Sequence, residues 1–565
     1  MAQHLHAHPL FHPHSELLSP DDRIALSYKR ARLLFKSYGR RLTLRDIQNC
    51  SPRFWEMFRD PLFAADISMF TVVVVHVNLV LGTLSRHLKH RPDLRPLVDS
   101  LMRFETIGIY LLSERGHGLD AFNIETTATK TPNGFLLHTP REEGAKFMPG
   151  TSPLYGFPKV ALTMARLIVD GEDRGTRFFV VPLCNTREMY QGVESITLPR
   201  RSGTHPFDWS ITRFNNVRLP PTALISSDPN DLSRPSDPSF AWWNEIWRIP
   251  FGTLGIASPW IPALKATAYT GGRYSMVRCI LGKGDKPYPI FSFRTQQLPV
   301  LRATATAIVM DNWYSSLIDA VMDNTLDPNV RHAYAVIGKT TVIRHFQRCV
   351  SEVSERLGAQ GTFEHNHLAK LENDAKGAII AEGDVLTLCI RLFSELLLGR
   401  YQIPLPPSSE SLLASHASSI FQENLSLFET LKCDHRSPTY NSLLLPQAEL
   451  VIESMGHALA YSSALKSDIP KYVLDMYECA VISRDSAWYT EQAGLGRMEQ
   501  RKREDKAVEG MLPHFSELVT SLDVGETLRA PIVEDGLWKR YLERLTVHSG
   551  NAVSPLVPEQ FHAML

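Results

Sequence analysis

The chain has 565 residues, 44% apolar and 21% charged, with Lys+Arg and Asp+Glu balanced at 60 each. That length exceeds one core, so two to four domains of about 100–200 residues are expected. The neutral balance removes any global electrostatic reason for nucleic acid or an anionic membrane as partner.

The N-terminal stretch "HLHAHPLFHPH" puts five histidines in the first 14 residues. It reads either as a metal-binding segment or, more plainly, as a mobile solvated tail. No signal peptide is visible there. In "SPDDRIALSYKRARLLFKSYG", Ser19 is placed to cap a helix, Pro20 fits its first position, and Gly39 ends it. The most apolar run, "FTVVVVHVNLVLGTL" from Phe70 to Leu84, carries His76 and Asn78. It falls short of the roughly 20 cleaner residues a bilayer span needs, so it reads as a buried helix.

From Ile107 the texture changes to short runs rich in β-branched and aromatic residues, such as "IETTATK", "ALTMARLIV" and "TRFFVVPL", separated by turn signals. The polar stretch from Ser226 to Ser239 resists regular structure. Beyond it the chain reads as helical, with Val385, Leu388, Cys389, Leu392 and Leu396 forming one stripe. The predicted domains are helical over 1–106, β-rich over 107–225, a helical bundle over 240–403 and a last helical block over 408–565. The seven cysteines, scattered without CxxC spacing, read as buried thiols of a reducing compartment rather than a disulfide frame or zinc site.

One segment, "LLSERGHGLDAFNIETTATK" (Leu111 to Lys130), joins an apolar run to a glycine turn and an extended stretch. That pattern predicts Ser113 at the seam where helices give way to the β-domain, as a ligand contact or simply as a cap. Taken with "RFFVVPL", "FNNVRLPPTALI", "GGRYSMVRCILG" with "RTQQL", and "RLGAQG" with "AEGDVLTLCIRL", it resembles the acyl-CoA oxidase branch of the acyl-CoA dehydrogenase superfamily. The ordered matches run from about Phe70 to Gly399, and "LVTSLDVGETLRAP" with "GLWKRYLERL" is similar to an oxidase's terminal helical domain.

The resemblance implies an α+β multi-domain fold, mostly α. An N-terminal helical domain, a middle β-barrel-like domain, a four-helix bundle and an extra helical domain make up the acyl-CoA dehydrogenase/oxidase fold. It implies FAD as cofactor, an acyl-CoA or related acyl thioester as substrate, O2 as electron acceptor with H2O2 as product, and a homodimer. In that chemistry a carboxylate takes the α-proton of the thioester while the β-hydride passes to the flavin. Glu382 matches the base; taken alone, it reads as an acidic residue at a helix start, favoured by the dipole. Ser113 matches a hydroxyl donor to the flavin ring, and Arg278 an arginine reaching the neighbouring subunit's FAD pyrophosphate, although a solvated arginine has the same pattern. Gly358 and Gly361 match a loop near that pyrophosphate, or else a helix C-cap. Gly118, Phe147, Arg294, Gln297, Gly383 and Asp384 fall at the other cofactor-binding positions.

Departures from the family pattern bear on the substrate. "KFMPG" replaces an aromatic pair beside the flavin with Phe147 and Met148, "TSPLYGFPKVA" is lengthened with Pro158 and Val160, and Leu281, Phe122 and Arg294 stand at altered positions. A flavin-dependent dehydrogenase or desaturase of a specialised acyl thioester, or of a non-CoA biosynthetic intermediate, is the alternative. A catalytically silent scaffold is the third reading. No membrane span is expected, and the C-terminal Ala563-Met564-Leu565 matches the Ser-Lys-Leu address only partly, leaving peroxisome and cytoplasm both open.

Overall fold

The computed structural model describes residues 2–12, 14–39, 41–228, 230–282 and 286–552; the C-terminal tripeptide lies outside them. Helix Pro20–Gly39 starts where its cap predicts, with the Ser19 hydroxyl accepting from the Asp22 N–H at 3.1 Å. The histidine-rich segment departs from the mobile tail its composition suggests. It folds into 3-10 turns, at Pro9–Phe11 and Ser15–Leu17 for example, and packs on that helix. Arg30 donates to the Leu10 carbonyl at 2.8 Å and lies 5.2 Å from the Phe11 ring centroid.

The apolar run forms a helix over Ile67–Ser85 that is 83% buried inside the protein. Its middle, Val74–Leu81, is π-helical, a geometry concentrated at functional sites. The two polar residues of the run are both engaged. His76 receives the Gly108 N–H on Nδ1 at 2.9 Å and meets the Leu101 carbonyl through Nε2 at 3.0 Å, while Asn78 meets Arg248. Burial lowers the His76 pKa to about 4, so the ring is neutral and can accept from Gly108.

Strands fill the region from 107 to 219. β1 (Ile107–Leu111), β2 (Thr127–Thr131), β3 (Gly134–His138), β4 (Lys146–Pro149) and β5 (Lys159–Val169) are followed by β6 (Glu172–Cys184), β7 (Val193–Thr197), β8 (Trp209–Phe214) and β9 (Val217–Leu219). One sheet runs β1-β5-β2-β3-β9 with β6 on β5, and a smaller one runs β4-β8-β7. β5 is shared lengthwise: its first half pairs with β1 and its second with β2, both parallel. The connection between β1 and β2 therefore leaves the sheet midway along β5. This corrects the placement of Ser113: it follows a strand, so its turn lies within the β-domain rather than at the passage from helices into it.

A buried ion pair pins that turn. Glu114 and Lys146, both fully buried, meet at 2.8 Å, and the Glu114 carboxylate also accepts the N–H groups of Glu125 and Thr126 at 2.6 and 3.0 Å. Removing one partner strands the other charge in the interior, so Lys146→Met is expected to destabilise the fold by about 3–5 kcal/mol, read as a lowered urea midpoint.

The C-terminal half is built on Trp260–Val277, Arg294–Met322 and Pro328–Arg356, which pack mutually, Gly271 of the first lying close against Val300 of the second and Val353 of the third. Leu368–Ile380 and Val385–Leu397 lie against them. The later helix Ala448–Leu465 is tied to this bundle by the buried Glu453, which accepts from Arg348 and Arg484. His345 and His457 approach the same carboxylate closely enough for one ion. Arg484 already occupies the group, however, with a nitrogen 2.7 Å from His345 Nδ1 and another 3.2 Å from His457 Nε2. All seven cysteines are free.

Candidate active site

Glu382 sits in the short turn between helices Leu368–Ile380 and Val385–Leu397. It is a non-glycine residue with φ at 55°, followed by Gly383 at 93°. A left-handed side-chain-bearing residue costs about 1–3 kcal/mol and persists only where the surroundings impose it. Here three successive carbonyls of the turn are held by side chains from other helices. Lys339 donates to Ala381 O at 2.5 Å and to Gly383 O, and Thr253 donates to Glu382 O at 3.1 Å. Asp384 then caps the following helix through the Thr387 N–H at 3.0 Å.

The Glu382 side chain makes no hydrogen bond or ion pair among the described residues. It is surrounded by protein yet keeps some accessible surface. Burial raises its pKa to about 7, with the nearby Lys339 and Arg248 charges pulling the other way. Gly252 gives it room: a Cβ there would lie 2.5 Å from Glu382 Oε2 and 2.8 Å from Asn78 Nδ2. Arg248 is fully buried, with Nε 3.0 Å from Asn78 O, Nη2 2.8 Å from Asn78 Oδ1, and the rings of Trp247, Phe251 and Phe54 within 5.5 Å of its guanidinium. From β1, Tyr110 is the nearest titratable group. Its hydroxyl is buried without a partner among the described residues, and burial followed by the Glu382 and Glu245 charges holds it protonated. The carboxylate thus stands where the π-helical segment, β1, helix Ile249–Gly255 and the 381–384 turn converge.

Two β-domain positions are open and adjacent. The Phe147 N–H donates to Ser113 O at 3.0 Å, the Ser113 hydroxyl makes no hydrogen bond among the described residues, and Phe147 is 41% exposed. Gly118 lies nearby in sequence in an exposed turn with open space around its Cα. Phe122 is exposed and meets Trp242 edge-to-face at 5.7 Å.

Of the other matched positions, some have roles in the fold and some carry free side chains. Arg278 is exposed at the end of helix Trp260–Val277 and forms no ion pair among the described residues. Arg294 pairs with Asp505 at 2.9 Å. Gln297 makes no side-chain hydrogen bond among the described residues, whereas the adjacent Gln296 bridges Ser275 and the Arg356 carbonyl. Gly358 has φ at 59° as the helix turns off, and Gly361 is required by Ser354, whose carbonyl oxygen would lie 2.1 Å from a Cβ. Sequence reasoning reached Glu382 but not Lys339, Arg248, Thr253 or Tyr110. The only signal for the first two is a lone charge in "AVIGKTTVI" and in "IWRIPFG".

No family model matches the chain. Among curated proteins it is 26% identical over 334 residues to the peroxisomal acyl-coenzyme A oxidase 2 of Arabidopsis thaliana, covering 55% of this chain and 47% of that protein. It is 25% identical over 384 residues to human peroxisomal acyl-coenzyme A oxidase 3, covering 61% and 53%. The chain spans about half the length of the curated relatives it matches. The fold extends further: acyl-CoA oxidase 1 of Yarrowia lipolytica superposes with a TM-score of 0.78 over 98% of this chain and 90% of that one, at 16% identity. Caenorhabditis elegans acyl-CoA oxidase-2, solved with FAD, ascaroside-CoA and ATP, gives 0.66 over 97% and 96%, at 17% identity. The architecture is the multi-domain acyl-CoA oxidase fold. In sequence and in fold alike, the proteins this chain is similar to are acyl-CoA oxidases of the acyl-CoA oxidase/acyl-CoA dehydrogenase superfamily.

Proposed function

We propose that this chain is an FAD-dependent oxidoreductase that removes two hydrogens across Cα–Cβ of an acyl thioester, with Glu382 as the base. The observation that carries the reading is the Glu382 carboxylate itself. It stands on a left-handed turn beside Gly252, unpartnered among the described residues, with its pKa raised to about 7 by burial. The α-proton of a thioester is weakly acidic, so its base must be desolvated, aimed and ionised near neutral pH.

The residues on the β-domain side fit a flavin. Ser113 offers a free hydroxyl beside the exposed Phe147 ring, the pair expected of a hydrogen-bond donor and an aromatic wall. FAD would supply the hydride acceptor, and its chemistry is the cofactor's own. Gly118, Gly383, Asp384, Arg294 and Gln297 are proposed to line that site, and Gly358 and Gly361 to lie near the pyrophosphate. The exposed Arg278 is proposed to reach FAD of a second subunit in a homodimer. The relatives named above motivate acyl-CoA as substrate, O2 as acceptor with H2O2 as product, and a peroxisomal setting. The altered Phe147–Met148 wall favours a specialised acyl thioester as second reading.

Flavin absorbance in the purified protein tests the cofactor, anaerobic bleaching by a panel of acyl-CoAs tests the reaction, and peroxide release in air separates oxidase from dehydrogenase. Because the base works only when ionised, the bleaching rate is expected to rise with pH through about 7 and to be lost below it as Glu382 takes up its proton. A pH-independent rate would remove Glu382 from this role.

A further inference from the structure

We infer that Lys339 is a positioning residue for Glu382, gripping the carbonyls on either side of it so that the turn holds the carboxylate beside Gly252. This rests on the reading of Glu382 as the base. Lys339 lies on helix Pro328–Arg356, 42 and 44 residues before its two acceptors, and its side chain is wholly buried. It binds Ala381 O and Gly383 O, skipping the carbonyl between them, which Thr253 takes. Residue 382 therefore has its flanking peptide groups fixed from one helix and its own carbonyl fixed from another. A left-handed φ at a non-glycine residue is the conformation such a grip must enforce.

The plainer role for Lys339 is to satisfy carbonyls left over at the end of helix Leu368–Ile380. A neutral donor would do that without the cost of burying an ammonium. The charge faces Glu382 and Asp384 on the turn and Cys389 on helix Val385–Leu397; from other elements, Glu382 is faced by Arg248 and Tyr110. Burial lowers the Lys339 pKa to about 7 while these acids pull it up, and Lys339 in turn favours the ionised form of Glu382.

The test compares wild type with Lys339→Met, which removes both grip and charge, and Lys339→Gln, which keeps amide donors and removes the charge. Two readouts are taken on the flavin-loaded protein. One is the pH profile of anaerobic bleaching by an acyl-CoA. The other is infrared titration of the Glu382 carboxyl without acyl-CoA, with Glu382→Gln subtracted to assign the band. In both variants the Glu382 midpoint is expected to move up by about one unit or more, as loss of a facing opposite charge requires. Lys339→Met is also expected to lose about 10²-fold in rate at every pH, as a base misplaced by about 1 Å would, while Lys339→Gln recovers part of that loss. An unmoved infrared midpoint with an unshifted profile in Lys339→Gln would reduce Lys339 to a helix-end cap and overturn the inference. Should Lys339→Met fail to fold, Lys339→Gln carries both readouts alone. Wild-type bleaching by Glu382→Gln would instead strike down the base reading, so the two failures are told apart.

Discussion

Glu382→Gln is expected to leave the protein folded and yellow, with a flavin that acyl-CoA no longer reduces. The amide keeps the shape of the side chain, and the carboxylate it replaces has no hydrogen-bond or ion-pair partner among the described residues to lose. Removing a charge whose burial is unfavourable should if anything stabilise the fold. What disappears is the proton acceptor, a loss of at least about 10²–10⁴-fold in the reductive half-reaction. Anaerobic stopped-flow bleaching measures it, and unchanged thermal unfolding and flavin content show that chemistry rather than structure was removed. Reduction at the wild-type rate would mean that another group takes the α-proton.

The second large effect comes from a residue with no chemistry of its own. Gly252→Ala is expected to cut the bleaching rate by about 10²-fold while leaving stability nearly unchanged. The residue lies within helix Ile249–Gly255, where alanine is preferred over glycine by about 0.5–1 kcal/mol. The added methyl would stand 2.5 Å from Glu382 Oε2 and 2.6 Å from its carboxyl carbon. The cheapest relief is for the carboxylate, the free end of a flexible side chain, to swing away. The fold survives and the aim is lost. Equal rates in the variant and the wild type would place the reacting atoms elsewhere. A large drop in melting temperature would mean that the contact with Asn78 Nδ2, 2.8 Å from the same point, is relieved through the backbone instead.

Lys339 and Gly252 act on one atom group from opposite directions. Lys339 fixes the backbone that carries the carboxylate, and Gly252 leaves the space into which it projects. A base in such a setting needs no hydrogen-bond partner to hold it, which keeps its lone pairs free for a substrate proton. The buried Arg248 adds positive potential with no ion pair to Glu382 among the described residues, its guanidinium bonding Asn78 and the Gln48 carbonyl.

Much of this molecule is legible in its sequence where the governing interactions are local. Ser19, Pro20 and Gly39 bound a helix because caps act over three or four residues. The strand-like runs after Ile107 form strands because their alternation and flanking turns act over the same short range. Ordered motifs, "AEGD" among them, single out Glu382. The exceptions are instructive. The histidine-rich segment packs because Arg30 and helix Pro20–Gly39 receive it, and the Ser113 turn lies inside the β-domain because β5 takes β1 and β2 end to end. Neither contact has a local signature.

By itself, then, the sequence determined the order of helical and β-rich regions, the buried nature of the Phe70–Leu84 run and the identity of the candidate base. Only the tertiary structure decided what surrounds that base. Lys339 meets its turn across 42 residues, Thr253 across 129, and Asn78 meets Arg248 across 170. Helical and strand periodicities order neighbours a few positions apart, whereas the field and the free space at a carboxylate are set by whichever distant groups packing brings beside it.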